Sequence, residues 1–434
     1  MIYIILLILM LIGVYAYDIR GYRRNYKLSY WGLMVVLIII AGLRYRIGTD
    51  SVLYESRYLA VPAIWDLFSF NFDSTRFEPG FLVFSSITRT FSPDFMWLQF
   101  TEAIVIDGVV FWFISKNSKH RFLSVTLYFL FLYLNLNTQV LREALAVAVF
   151  LLSWPFFRDG KWLQYYCTVI IACFLHTSAF FTLLLPLCCL PGIRECFVFG
   201  KRAILICLVI FGIGVFIQER FTAVFSLMAF TQRMMDRVNT YSHDAMGGAY
   251  LNVLGVLSLF IRFCLYPLLA MWLAQKSYNF SRRKFHKTIF KGALLTPEEK
   301  LLEKNEREER LQKNRSFLRW ELMVLMGVYL MVFSIPMFIF SRYFNYFGMF
   351  ALVSVADMAY SKITWTNGRK IRLSNIAWSL VLAPLFFFVL YSYTAPATRS
   401  GSLKTYQIYY PYYTRLNPNT DTDREAIYRY WGVR

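Results

Sequence analysis

The segment "KWLQYYCTVIIACFLHTSAFFTLLLPLCCLP", residues 161–191, decides how the rest of the chain would cross a membrane. It is apolar enough to form one long tilted helix, or two short helices that meet at the polar stretch 176–178. One extra crossing inverts the side of every later loop. Segment 276–317 carries twelve Lys and Arg residues against six Glu residues. The positive-inside rule keeps such a segment in the cytoplasm, which requires the two-helix arrangement.

Apolar runs of roughly 15–25 residues recur along the chain, the length needed to cross about 30 Å of hydrocarbon. Of the 434 residues, 58% are hydrophobic, a fraction that argues against a soluble fold. We therefore expect an all-α polytopic membrane protein with about twelve transmembrane helices and both termini outside. The predicted spans are 2–17, 28–43, 93–114, 122–136, 142–157, 161–175, 177–191, 203–217, 248–275, 318–339, 341–360 and 373–394.

These spans divide the chain into a transmembrane domain, residues 1–394, and an outer tyrosine-rich tail, residues 395–434. Within the domain we expect an outer loop over 44–92 and a cytoplasmic charged loop over 276–317. The first apolar run is followed, not preceded, by basic residues, which indicates a retained first helix and not a cleaved signal peptide.

The net charge of +20 would indicate a nucleic-acid partner in a soluble protein. Here the basic residues lie in loops, where they orient helices, so we expect no nucleic acid. The seven cysteines lie within or beside apolar runs and lack metal-ligand spacing, which indicates packing residues. We read the Asp-x-Asp of "DTDRE", residues 421–425, as part of a solvated tail and expect no metal.

Charged residues gather at the predicted outer boundary, beginning with "LRYRIGTDSVLYE", residues 43–55. Each has a simple alternative explanation: an interfacial arginine reaches headgroups, a histidine caps a helix, and an aspartate pairs with a neighbouring arginine. As a set, four arginines with few acids at one depth favour an anion, and arginine forks suit pyrophosphate oxygens. The residues of this set are Arg44, Arg46, Asp50, Glu78, Arg142, His176 and Arg342.

A pyrophosphate at the outer leaflet indicates a polyprenyl-pyrophosphate lipid, and glycosyl transfer with that group leaving. Arginines would stabilise the charge on the leaving pyrophosphate. Asp50, Glu78 or His176 would accept the proton of the attacking hydroxyl, and the sequence leaves these three open. Imidazole titrates near working pH, whereas arginines beside Asp50 would keep that carboxylate ionised and weaken it as a base. We expect Gly48 and Gly80 to permit tight turns.

Five motifs in order, "RYRIGTDSVLY", "FEPGF", "LREALAVAVFLL", "CFLHTSAFF" and "SRYFNYF", resemble the Wzy-like polysaccharide polymerases of the EpsG family over about residues 40–360. Many members have Arg-Gln where this chain has Arg142 and Glu143, which leaves the role of Glu143 open. Carried over to this sequence, the resemblance implies that Arg46, Arg142 and Arg342 hold pyrophosphates, with Arg44 in support.

The resemblance further implies a GT-C-type enzyme of the bacterial cytoplasmic membrane, multi-pass, with its active site facing the periplasm or exterior. Such enzymes transfer a growing glycan from undecaprenyl pyrophosphate to the non-reducing-end sugar of a lipid-linked repeat unit. They work with a chain-length regulator and a flippase, and no cofactor is expected. Three rivals remain: an O-antigen ligase or other lipid-donor transferase, a flippase of lipid-linked oligosaccharide, and a non-catalytic scaffold, against which the cost of so many interfacial arginines argues. A transporter would be expected to show repeated halves, which are not visible in this sequence.

Overall fold

The computed structural model describes residues 2–70, 75, 77–219, 253–276, 297–337, 340–359, 362–364, 370–372, 375–398 and 401–430. In these residues the regular structure is helical apart from one short hairpin, as the predicted all-α class requires. The first half contains α1 (Ile2–Gly13, extended by a π-helical segment, Val14–Ile19), α2 (Tyr26–Leu43), α3 (Ser51–Leu59), α4 (Pro79–Phe91), α5 (Phe95–Asn117), α6 (Arg121–Tyr128, extended by a π-helical segment, Phe129–Tyr133), α7 (Leu134–Thr138), α8 (Leu141–Asp159) and α9 (Trp162–Leu175).

The second half begins with a 3₁₀ helix, Thr177–Cys189, and ends in the tail. Residues 362–364 and 370–372 pair as an antiparallel hairpin, in a register that places Ile363 opposite Ile371. The α-helices and strands that follow are α10 (Pro191–Arg194), α11 (Lys201–Glu219), α12 (Val253–Phe260, followed by a π-helical segment, Ile261–Leu265), α13 (Pro297–Ser334), α14 (Ser341–Met358), β1 (Lys362–Thr364), β2 (Lys370–Arg372), α15 (Asn375–Thr394) and α16 (Thr422–Tyr430), with short 3₁₀ helices at Glu195–Phe197 and Thr405–Ile408.

Several helices have the length and apolar character of membrane spans, which makes the chain an integral membrane protein. Within the described part of the chain, five helices meet both criteria, and a sixth arises if a pair bent by 99° is one span. Helices such as α9, with 14 residues, extend only about 21 Å. The predicted twelve crossings are therefore not established by helix length and stay a prediction.

Segment 161–191 is folded back on itself at His176, as the two-helix interpretation predicts. His176 has extended backbone, φ −156° and ψ 134°, between the end of α9 and the start of the 3₁₀ helix. The Tyr165 hydroxyl donates to the Thr182 carbonyl at 2.6 Å. In one continuous helix these residues, 17 apart, would be separated by about 25 Å. The second limb, expected as an ordinary span, is a 3₁₀ helix.

Contacts between helix ends show that these ends lie on two opposite faces of the molecule. At one face, which we call the loop face, the end of α2 contacts the tail and the start of α8 contacts the start of α4. At the opposite face, Asp18 accepts from the Leu123 amide, and Ser118 donates to Asp357. The Arg319 side chain also bonds the carbonyl of Phe157 there. These pairings are those expected if the helices alternate in direction.

The predicted outer loop, residues 44–92, contains α3 and α4, which were expected as loop. Pro79 occupies the first turn of α4, a position that suits its fixed φ. A Cβ on Gly80 would lie 2.8 Å from backbone atoms of Phe174, so Gly80 permits close packing of α4 on α9. The predicted tight turn at Gly80 is therefore wrong. Gly48 does adopt φ +98°, and a Cβ there would lie 2.0 Å from the Thr138 carbonyl oxygen.

The tail folds back onto the end of α2. The Tyr45 amide donates to the Tyr413 carbonyl, and the Arg415 amide to the Leu43 carbonyl, both at 2.9 Å. The Arg415 side chain pairs with Glu55 of α3 at 2.6 Å. This chain of contacts joins the C-terminal residues to the loop that follows α2, so the tail is part of the folded body at the loop face.

The Asp-x-Asp of the tail has local partners. Asp421 accepts from the Arg424 amide at 2.9 Å, just before α16, and Asp423 accepts from the Gln407 side chain at 2.8 Å. Both carboxylates thus serve the fold of the tail. In the described residues, no group of three or more His, Cys, Asp or Glu is arranged to hold a metal ion.

Candidate functional site

An ion pair joins two helix starts at the loop face. Arg142 is the second residue of α8, and Glu78 directly precedes α4. Their side chains meet at 2.6 Å between Nη1 and Oε2 and are only 22% and 14% exposed. The Arg142 Nε also donates to the Tyr54 hydroxyl at 3.1 Å. Because both charges are largely removed from water, the pair fixes α8 against α4.

Asp50 lies within electrostatic range of the same arginine. It directly precedes α3, is half-buried, and has Arg342, Arg142 and Arg57 as its charged neighbours. Burial raises the pKa of the Asp50 carboxyl above its usual range, and the three arginines partly oppose this rise. Arg342 is exposed and is the second residue of α14, as Arg142 is of α8. Two helix starts thus place guanidinium groups within electrostatic range of one carboxylate.

His176 lies on the other side of Glu78. Its Nε2 is 4.0 Å from Glu78 Oε1, and its Nδ1 is 2.6 Å from Ser178 Oγ. The Ser178 Oγ is in turn 2.8 Å from the hydroxyl of Tyr346, which is fully buried in α14. A continuous line of polar groups therefore runs from the interior of α14 to the Arg142–Glu78 pair.

Glu143, whose role the sequence left open, is buried and accepts from the Asn345 side chain at 2.7 Å. Its neighbour Arg142 turns to Glu78 instead, because adjacent residues of a helix do not share a face. Asn345 also accepts a bond of 3.4 Å from Asn135. Glu143 thus links α8 to α14 within the core.

Arg44 and Arg46 make their contacts elsewhere. Arg44 is 2% exposed, and its guanidinium donates to the carbonyl of Ala41 and has Glu102 of α5 as its main acidic neighbour. The predicted supporting role of Arg44 at an exposed anion site does not fit this burial. Arg46 adopts φ +51°, and its guanidinium lies 5.4 Å from the ring centroid of Tyr45. Five of the seven predicted residues therefore come together, without these two.

Sequence reasoning missed three hydroxyl groups of the site, those of Tyr54, Ser178 and Tyr346. A signal was available, because Tyr54 follows Asp50 by four residues and Tyr346 follows Arg342 by four. Residues at that spacing share one face of a helix. Burial raises the pKa of Tyr54 above its usual range, so the phenol is a neutral partner for Arg142. The sequence reasoning weighed charged groups and overlooked neutral donors.

The cysteines contribute nothing to this cluster. All seven are free thiols. Cys173 and Cys264 are buried, as expected of packing residues, whereas Cys167 and Cys196 are exposed. The packing interpretation is therefore confirmed for Cys173 and Cys264, and it stays a prediction for the other five.

Comparison with known proteins identifies the family. No curated protein and no solved structure matches the chain. The EpsG family matches residues 27–414, a range that covers the loop face from Asp50 to Arg342 and the first half of the tail. This is far more than half of the 434 residues. The chain therefore belongs to the EpsG family.

Proposed function

We propose that this protein is a polymerase of a bacterial surface polysaccharide: O-antigen, capsule or exopolysaccharide. It would transfer a growing glycan from undecaprenyl pyrophosphate to the non-reducing-end sugar of a lipid-linked repeat unit. The observation that carries the proposal is the meeting of Arg142 and Arg342 with Asp50, Glu78 and His176, from five separate segments of an EpsG-family chain.

The two arginines are the proposed pyrophosphate ligands. Each is the second residue of a helix of 18 or more residues, where the helix dipole also favours an anion. Arg342 is exposed and Arg142 partly so, which leaves both accessible to a lipid headgroup. Arg44 is left out of this site because its guanidinium is buried. Arg46 stays a candidate for the second, acceptor lipid.

The proposed reaction is a displacement at the anomeric carbon of the donor sugar. The acceptor hydroxyl oxygen forms a bond to that carbon, and the bond from carbon to pyrophosphate oxygen breaks. The lipid pyrophosphate leaves with the electron pair, and Arg142 and Arg342 stabilise its charge. The hydroxyl proton passes to Asp50. Asp50 is preferred over Glu78 because burial raises the Asp50 pKa, whereas Glu78 is engaged by Arg142.

The proposed setting is the cytoplasmic membrane, with a GT-C-like fold of about twelve crossings and the loop face toward the periplasm or exterior. A chain-length regulator and a flippase are the proposed partners. A reporter fusion scan of residues 160–320 tests the sidedness. Fusions at positions 287 and 300 should report the cytoplasm, and fusions at His176 the exterior. External reporters at 287 and 300 would contradict the orientation.

The activity is tested with purified protein in vesicles, given a synthetic undecaprenyl-pyrophosphate-linked repeat unit. The expected product is a ladder of polymers on a gel. Arg142→Ala and Arg342→Ala should each lower the rate by about 10²–10³. Arg202→Ala is the matched control, because Arg202 forms an exposed ion pair with Glu195 near the opposite face. Full activity in both site variants would refute the proposal.

The same assay separates the rivals. A ligase would transfer one glycan to a different acceptor lipid and give no ladder from repeat units alone. A flippase would move labelled lipid between leaflets without changing its mass. A single added product, or leaflet exchange without extension, would therefore favour one of these alternatives.

A further inference from the structure

One backbone hydrogen bond determines which group donates and which accepts in each hydrogen bond between His176, Ser178 and Tyr346. The Ser178 amide donates to His176 Nδ1 at 3.2 Å, as the cap of the 3₁₀ helix. A backbone amide can only donate, so Nδ1 must offer a lone pair. In neutral imidazole one nitrogen carries the proton, and here that nitrogen is Nε2.

The two hydroxyl groups then have one consistent arrangement. Because Nδ1 has no proton to give, the Ser178 hydroxyl donates to it across 2.6 Å. The Ser178 hydroxyl donates its one proton to Nδ1, so the Tyr346 hydroxyl must donate to the Ser178 oxygen across 2.8 Å. Each donor in this chain strengthens the next by polarisation.

The far end of the ring faces Glu78. The Nε2 nitrogen is 4.0 Å from Glu78 Oε1, too long for a direct hydrogen bond but close to a carboxylate. The ring is 13% exposed, and Arg142 holds the other oxygen of Glu78. A neutral His176 in this tautomer offers a donor at the site and no basic nitrogen.

We propose that Ser178 and Tyr346 are positioning residues that hold neutral His176 as its Nε2–H tautomer, so that the ring donates toward Glu78 and accepts no proton there. The inference rests on the proposed function for its effect on turnover. It removes His176 from the three candidate bases and gives it the task of a fixed donor to a substrate oxygen that enters beside Glu78.

Nitrogen NMR of ¹⁵N-histidine-labelled protein tests the tautomer without any activity measurement. The chain has four histidines, and a His176→Gln variant assigns the signal by difference. At about pH 8.5, above the ordinary range for imidazole, wild-type His176 should show a protonated Nε2 and an unprotonated, downfield Nδ1. The opposite pattern, with the proton on Nδ1, would overturn the proposal.

Variants test the positioning residues. Ser178→Ala should shift the ratio of Nε2–H to Nδ1–H forms about fivefold, the factor that one ordinary hydrogen bond contributes. Ser178→Thr, which keeps a hydroxyl, should restore the wild-type ratio. Tyr346→Phe should shift the ratio of Nε2–H to Nδ1–H forms in the same direction but by a smaller factor. It replaces Ser178→Ala as the test if that variant does not fold. An unchanged ratio in Ser178→Ala, or in Tyr346→Phe where that variant is used, would overturn the proposed relay.

The matched control is Thr182→Val, because the Thr182 hydroxyl lies in the same 3₁₀ helix and bonds the Ala179 carbonyl, not His176. Its His176 signal should equal that of wild type. In the polymer assay Ser178→Ala should slow turnover about tenfold with little change in KM. If wild type makes no polymer, the NMR result still stands alone, so failure of the function and failure of the relay are distinguishable.

Discussion

The ion pair between Arg142 and Glu78 can be tested by a double-mutant cycle. The variants are Arg142→Met, which keeps the aliphatic stem of the side chain, Glu78→Gln, which keeps its shape, and the two combined. Removing one partner of a fully buried pair costs about 3–5 kcal/mol, because the other charge is left uncompensated. These side chains are 22% and 14% exposed, so we expect a smaller loss of about 2–3 kcal/mol for each single variant.

The double variant should lose about as much as either single variant, since it leaves no unpaired charge. The expected coupling energy is therefore about 2 kcal/mol, measured by equilibrium unfolding in one fixed detergent. The control is the same cycle at Arg202 and Glu195, whose side chains are 73% and 62% exposed, where coupling should stay below about 1 kcal/mol. Additive losses at Arg142 and Glu78, within about 0.5 kcal/mol, would refute the reasoning.

Four further predictions concern Asp50, Gly48 and Arg415. Asp50→Asn should abolish polymer formation, and Asp50→Glu should retain it. Because burial raises the pKa of Asp50, the wild-type rate should fall as the pH decreases, with a midpoint above about 3.9. A flat pH profile would contradict this. The raised pKa also means that wild type loses stability relative to Asp50→Asn as pH rises from about 3.9 through the folded-state pKa, which unfolding measured across pH should detect. Gly48→Ala should lower the free energy of unfolding by at least about 2 kcal/mol, because φ is +98° and the new Cβ would meet the Thr138 carbonyl. The control is Gly21→Ala, an exposed position at φ +72° with open space around it, where the loss should be smaller. Arg415→Met should lower the free energy of unfolding by about 1–2 kcal/mol, because it leaves Glu55 without its partner. An unchanged unfolding curve would show that this ion pair does not hold the tail against α3.

The membrane character and the hairpin of segment 161–191 could be read from the sequence, because each depends on local composition or on counted charge. The fold at His176 was predicted from twelve basic residues that lie at least 100 positions further along the chain, because such residues prefer the cytoplasmic side of the membrane.

The meeting of Asp50, Glu78, Arg142, His176 and Arg342 could be expected because alternating helices return their ends to the same side. The alternating direction of the helices determines only the depth of a residue in the membrane. It does not determine which side chains contact each other, so the sequence did not show whether Arg142 pairs with Glu78 or with Glu143. That choice depends on the rotation of α8 against α4, which long-range packing sets.

The burial of Arg44 could not be predicted in this way. Arg44 and Arg46 are two positions apart and look equivalent in the sequence. The tail covers the end of α2, with Tyr412 donating to the carbonyl of Ile40 and Thr414 pairing with Arg44 itself. A contact with residues some 370 positions away decides which arginine is enclosed, and no local pattern carries that information.

The most direct test of the central claim is the binding of undecaprenyl pyrophosphate, without sugar, to purified wild type and to Arg142→Ala and Arg342→Ala, by titration in a single detergent. Arg202→Ala and undecaprenol without phosphate serve as controls. We predict that each site variant raises the dissociation constant at least about tenfold, the loss of one charge-assisted hydrogen bond, while Arg202→Ala binds like wild type. Equal affinity of wild type and both site variants would contradict the claim that these two guanidinium groups receive the lipid diphosphate.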